Sequence, residues 1–120
     1  MTHTEQINEA IASHGLWKFR LKKAIETGES DWTVPELRRD DACEFGQWLH
    51  NLPPAEQASE HRRDVQDLHA QIHVEAAKVL QLATDGRKAD AEAAIRFGSP
   101  FAVLSAKLTS AMTAWRDAVS

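Results

Sequence analysis

The chain has no tyrosine, a single cysteine, five glycines and four prolines among its 120 residues. One cysteine excludes an internal disulfide and leaves Cys43 inert, reactive or a metal ligand. So few glycines and prolines, with Ala-rich stretches between them, point to an all-α protein. The aromatic residues are all Trp and Phe and are few, so no base-stacking platform is visible. A formal net charge of -4 with no basic cluster argues against a nucleic-acid surface. No apolar run approaches the roughly 20 residues that a transmembrane helix needs. The start, Met1 to Gln6, is polar and has no signal-peptide core. These absences predict a cytoplasmic protein that does not enter a membrane.

What is present is ordinary for a folded domain: 42% hydrophobic and 27% charged residues, enough for one modest core. Residues 1–120 read as one domain, without repeat, low-complexity tract or linker. Apolar residues at Ile7, Ala10, Ile11, Trp17, Leu21, Ala24 and Ile25 recur by threes and fours. They predict a helix from about Thr4 to Thr27, with Thr4 as N-cap and Gly28 as its stop. Glu29 to Asp41 is irregular and predicts a loop with a partial turn, because Pro35 keeps a helix from passing through unbroken. A short helix follows from about Asp41 to His50, carrying Cys43. A long one runs from Pro54 or Ala55 to about Thr84, closed by Asp85-Gly86. The last helical region covers about Lys88 to Val119 and either kinks or splits at Gly98-Ser99-Pro100. Three long helices and a short cysteine-bearing one predict an antiparallel four-helix-type bundle.

His69 and His73 lie four apart, so on a helix they stand one above the other on the same face. They flank the apolar stripe Val65, Leu68, Ile72, Ala76 and Val79, which turns them inward. His14 falls inside the stripe of the first helix, and Cys43 sits on the short one. One thiolate and three imidazoles are donors that zinc prefers, and four of them close a tetrahedron. The thiolate would leave a net charge of +1, which Asp40, Asp41 or Asp64 is near enough in sequence to balance. His3, at a terminus expected to fray, and His50 and His61, flanking Pro53-Pro54, read as surface residues.

His14-x2-Trp17, Cys43-x2-Gly46-x-Trp48-Leu49 and His69-x3-His73 together resemble the chemoreceptor zinc-binding domain family of bacteria. The order His, Cys, His, His, with separations of 29, 26 and 4 residues, is similar to that family throughout, and so is Gly98-Ser99-Pro100-Phe101 through Leu108. The Cys-x2-Gly-x-Trp-Leu piece is the most specific part. The resemblance implies an α-helical bundle binding one zinc per subunit through His14, Cys43, His69 and His73. It also implies a homodimer, and a place in a soluble chemoreceptor or a diguanylate cyclase. There such domains act as cytoplasmic sensors of zinc or of oxidants such as hypochlorous acid, with the cysteine as the redox-reactive group. This chain carries no methyl-accepting coiled coil and no cyclase domain, so it is stand-alone or excised; its polar start and lack of a linker favour stand-alone.

Two physical points support such a sensor. A metal-bound cysteine is held as thiolate, and oxidation follows thiolate character and exposure. Losing the sulfur as a ligand would free a short helix bounded by Gly28 and Pro53-Pro54. Three other readings compete. A zinc protease needs His-Glu-x-x-His, but Ala70 follows His69, and four protein ligands leave no open position for water. A di-iron bundle needs paired Glu-x-x-His, but Gln66 and Ala70 precede the two histidines by three. A helical interaction module with a merely buried cysteine and histidines is the remaining alternative.

Overall fold

The stripe that carries His69 and His73 builds the longest element, helix α6 (Glu60–Thr84), in a computed structural model that describes residues 2–119, Ala42 by its backbone alone. Ser59 caps α6 by accepting the Arg62 N–H at 3.4 Å, and Gly86, at a φ of 77°, turns the chain away behind its end. Val65, Ile72, Ala76, Val79, Leu80 and Ala83 form its buried face. Its main neighbour is α8 (Pro100–Val119), which brings Phe101, Leu108, Met112 and Trp115 into the core. Helix α2 (Trp17–Thr27) adds Leu21, Ala24 and Ile25, and α3 (Val34–Arg38) adds Leu37. The protein is therefore an all-α bundle around α6, with no strand among the described residues.

Several expected helices are divided, each for a local reason. The first is two helices, α1 (His3–Gly15) and α2, meeting at Leu16. Gly15 is a poor helix former, and the Leu16 N–H tightens the turn by bonding the Ser13 carbonyl at 3.2 Å. The cap of α1 is Thr2, whose hydroxyl accepts the Glu5 N–H at 3.1 Å, so the helix begins before Thr4. In the irregular stretch, Thr33 caps α3: its hydroxyl accepts the Glu36 N–H at 3.3 Å and donates to the Glu36 carboxylate at 2.7 Å, with Pro35 in the first turn.

The expected Asp41–His50 helix is a 3-10 turn, Asp40–Ala42, followed by α4 (Glu44–His50). Cys43 lies between them with extended backbone, as the N-cap of α4 rather than a residue within it. Pro54 opens only the single turn α5 (Pro54–Gln57), because Ser59 leaves the helical region to cap α6. The last region splits rather than kinks. Helix α7 (Lys88–Ala94) ends ahead of Gly98, which has a φ of 86°, and Ser99 caps α8 through the Ala102 N–H at 3.2 Å.

Candidate metal centre

Three segments bring four side chains to one point: α1 carries His14, the turn before α4 carries Cys43, and α6 carries His69 and His73. One donor atom each from His14, Cys43, His69 and His73 lies within 4.8 Å of the others. The Cys43 Sγ is 3.3 Å from His69 Nε2 and 3.5 Å from His73 Nε2, and the two Nε2 atoms are 3.1 Å apart. Zinc bond lengths of about 2.05 Å to nitrogen and 2.3 Å to sulfur set tetrahedral edges of roughly 3.3 Å between nitrogens and 3.6 Å between nitrogen and sulfur. The three spacings fall close to those edges. A single thiol hydrogen and one imidazole hydrogen cannot serve all of these approaches, whereas one shared cation can.

The outer ring nitrogens fix the inner ones. His73 Nδ1–H donates to the Leu37 carbonyl at 2.7 Å, and His14 Nδ1–H donates to the Ala10 carbonyl at 2.8 Å. Each bond selects the tautomer that leaves Nε2 as a bare lone pair. His14 Nε2 and His69 Nδ1 are buried without a hydrogen-bond partner. The His14 Nε2 carries the lone pair left free by the Ala10 bond, and such an orphan in a dry site is costly unless a cation takes it, so the donor set fits a bound metal; the His69 Nδ1 is the outer nitrogen of its ring and gains no partner from an ion on Nε2.

Burial keeps the three imidazoles neutral. It pushes His14 down to about 4 and His69 down to about 2, and it lowers His73 as well. The bond to Ala10 works against the shift at His14 and the bond to Leu37 against that at His73. Burial pushes the Cys43 thiol up, opposed by the N–H groups of Gly46 and Phe45. A cation reverses the balance at sulfur by stabilising the thiolate.

Gly46 explains the local sequence. A Cβ built there would land on the Asp40 carbonyl oxygen, so only glycine lets α4 start against the 3-10 turn. That approach seats Cys43: its Sγ accepts the Gly46 N–H at 3.3 Å and lies 3.5 Å from the Asp40 carbonyl. Trp17 and Phe45 wall the cluster. The Trp17 ring stands 4.6 Å from that of His14 and 4.7 Å from that of His73, and Phe45 stands 5.3 Å from His69.

The other expectations divide. His61 is exposed, as is His50, whose Nε2 lies 3.4 Å from an Asp40 carboxylate oxygen. His3 is not at a frayed end: it opens α1, lies half-buried against the Trp48 ring and sits 2.7 Å from the Glu56 carboxylate. Of the acids expected to balance the charge, Asp64 is exposed and Asp41 pairs with Arg39, which holds its carboxyl low. Asp40 turns its carboxylate to Gln66 Nε2, at 2.6 Å, and its carbonyl to the sulfur. The Leu37 carbonyl gave no sign of its role in the sequence, since a backbone acceptor is independent of the side chain attached to it.

Comparison with known proteins agrees with this geometry. The family model described as chemoreceptor zinc-binding domain matches residues 14–80, a span that contains all four clustered residues. No curated protein and no solved structure matches the chain.

Two outcomes follow from the packing and the charge states. Gly46→Ala should destabilise the protein by about 1–3 kcal/mol through overpacking. Gly15→Ala, which meets open space at ordinary backbone angles, should be neutral or stabilising by up to about 1 kcal/mol. Urea unfolding of both variants checks this, and an equal loss in the two would refute the role given to the Asp40 carbonyl. The second outcome concerns pH. Because the folded protein holds His14 and His69 far below their ordinary 6.5, the unfolded chain binds more protons in that window. Stability in excess chelator should be full above about pH 6.5 and fall as the pH drops from there toward 4. A flat profile over that range would contradict the buried neutral state.

Proposed function

This chain belongs to the chemoreceptor zinc-binding domain family, and from that premise we propose that it is a non-catalytic, cytoplasmic sensor domain whose zinc is held by His14, Cys43, His69 and His73. The observation that carries the reading is the convergence of one donor atom from each of the four residues within 4.8 Å. Zinc bound there supplies a fixed positive centre that keeps the sulfur ionised. Four protein donors fill a tetrahedron and leave no position for a reacting water, which is the ground for reading the site as regulatory rather than enzymatic.

Residues 1–120 form one sensing unit on this reading, either stand-alone or part of a longer protein. Its place in a homodimer, and beside a chemoreceptor or diguanylate cyclase output, rests on the family resemblance. No helix among the described residues is long and apolar enough to cross a membrane, which is compatible with the proposed location.

Cys43 is the redox-reactive group. It is only half-buried, while His69 and His73 are 0% and 2% exposed. With hypochlorous acid its thiolate would be oxidised by two electrons to a sulfenic acid. The oxygen and proton stay on sulfur, and chlorine leaves as chloride. A sulfenic acid is a much poorer donor than a thiolate, so the remaining three imidazoles hold the ion less tightly.

Metal content measured by mass spectrometry on tag-free protein tests the site. Wild type and His61→Ala should each carry about one zinc per chain, and Cys43→Ala should lose most of it. Equal zinc in all three would sink the ligand assignment. A folded wild-type protein without zinc would instead favour a helical interaction module with buried histidines. For the redox role, stopped-flow mixing with hypochlorite and a zinc-sensitive dye should show zinc release in step with Cys43 oxidation. Retention of zinc at complete oxidation would end that part of the reading.

A further inference from the structure

Two clefts reach the clustered residues from outside, and they differ in charge. The first, of about 260 Å³, has Glu9, Ser13 and Gln6 of α1 on one side and Glu44 of α4 on the other, with His14 and Cys43 among its lining residues. The second, of about 150 Å³, reaches Cys43 and His73 past Arg20 and Glu36. The first cleft thus has two carboxylates and no cation in its lining, whereas the second has one charge of each sign. Glu9 and Glu44 are exposed, and among the described residues neither takes part in a salt bridge.

The acidic pair alone would mean little. The independent observation is His14, which lines the same cleft. It is 8% exposed, and its Nε2 has no hydrogen-bond partner. An unpartnered buried lone pair, with the more open Cys43 sulfur beside it in the same lining, gives a cation drawn into this cleft two donors to meet. The spacing of α1 produces the arrangement. Gln6, Glu9 and Ser13 follow one another by threes and fours along one side of the helix, and His14 lies next to Ser13, turned into the core.

We propose that Glu9 and Glu44 form the entry route for the divalent cation, drawing it into the cleft toward His14 and Cys43. The inference rests on the ligand assignment above and adds a kinetic role for two residues outside it. A passage lined by one sign of charge between low-dielectric walls raises the local concentration of its counter-ion and the association rate. The mixed lining of the second cleft gives a cation no such preference. It follows that association through the first cleft weakens as salt screens the carboxylates.

The test uses the full chain, stripped of metal and mixed with zinc alone in a stopped-flow instrument, at about 10 mM and about 150 mM salt. Glu9→Gln/Glu44→Gln should bind the same amount of zinc but associate about threefold or more slowly at low salt, with most of the salt dependence gone. Glu26→Gln/Glu92→Gln makes the same change of net charge at a different cleft and should associate like wild type. Unchanged association in the Glu9/Glu44 variant, or equal slowing in both variants, would overturn the route while leaving the site intact. Failure of wild type and both variants to bind zinc would overturn the site itself, and the route with it.

Discussion

Two imidazoles one turn apart on the buried face of α6 are the constraint on which the rest of the structure depends. A buried histidine needs partners for both ring nitrogens, and burial at this site keeps the rings uncharged. His73 meets half of its need with the Leu37 carbonyl, which requires α3 to lie across α6. The inner nitrogens of His69 and His73 face each other and Cys43, so neither can be satisfied from α6 alone. The chain brings a sulfur from the turn before α4 and a third imidazole from α1 to the same point. Packing around α6 then reads as the means of delivering those two groups, with Trp17 and Phe45 keeping the point dry.

The interruptions in the helices serve that delivery. Were α1 and α2 one straight helix, the residues before and after Gly15 could not both follow the surface of the bundle; the turn at Leu16 lets α1 pack on α8 while α2 packs on α6. The 3-10 turn and the extended Cys43 do the same at shorter range. Had Cys43 lain inside a helix, its Sγ would not cap α4, and the Gly46 N–H would lack that acceptor. Gly46 is the residue that makes this geometry sterically possible, and its value comes from the missing Cβ rather than from backbone freedom.

How much of this was legible depended on the kind of signal. The inward stripe of α6 and the convergence of His14, Cys43, His69 and His73 were readable because helical period and donor type are properties of the side chains themselves. The break at Leu16 is hidden because an apolar stripe runs across it without a change of phase, and the one at Ser59 because Pro54 suits the first turn of a longer helix; each is decided by one or two local hydrogen bonds. The order at His3 has no local signal, because its contact with Trp48 joins residues far apart in sequence. Asp40 acts through two atoms, of which the sequence pointed to one: its carboxylate bonds Gln66 while its charge still bears on Cys43 and His73, and its carbonyl lies against the sulfur. The split at Pro100 was open in the sequence and was decided by Gly98 and the Ser99 cap together.

The four donors are unequal, and their inequality bears on how the proposed sensor releases its ion. His69 and His73 are locked into the longest helix, and His14 is tied to its own helix through Ala10. Cys43 belongs to no helix interior; it is held by the Gly46 N–H and by the approach of the Asp40 carbonyl. It is also the donor most open to solvent. On the proposed assignment, a change of chemistry at the sulfur would therefore act on the least anchored of the four donors, and it would act twice. It would weaken the hold on a bound cation, and it would replace the sulfur acceptor at the start of α4, a helix of only seven residues with little internal stability of its own. Had the exposed donor been a histidine of α6, its loss would have left the backbone in place. If the sulfur is the reactive atom, as proposed, its place at a helix cap couples the loss of a donor to a local structural change, and that coupling would let the ion's departure be felt beyond the site.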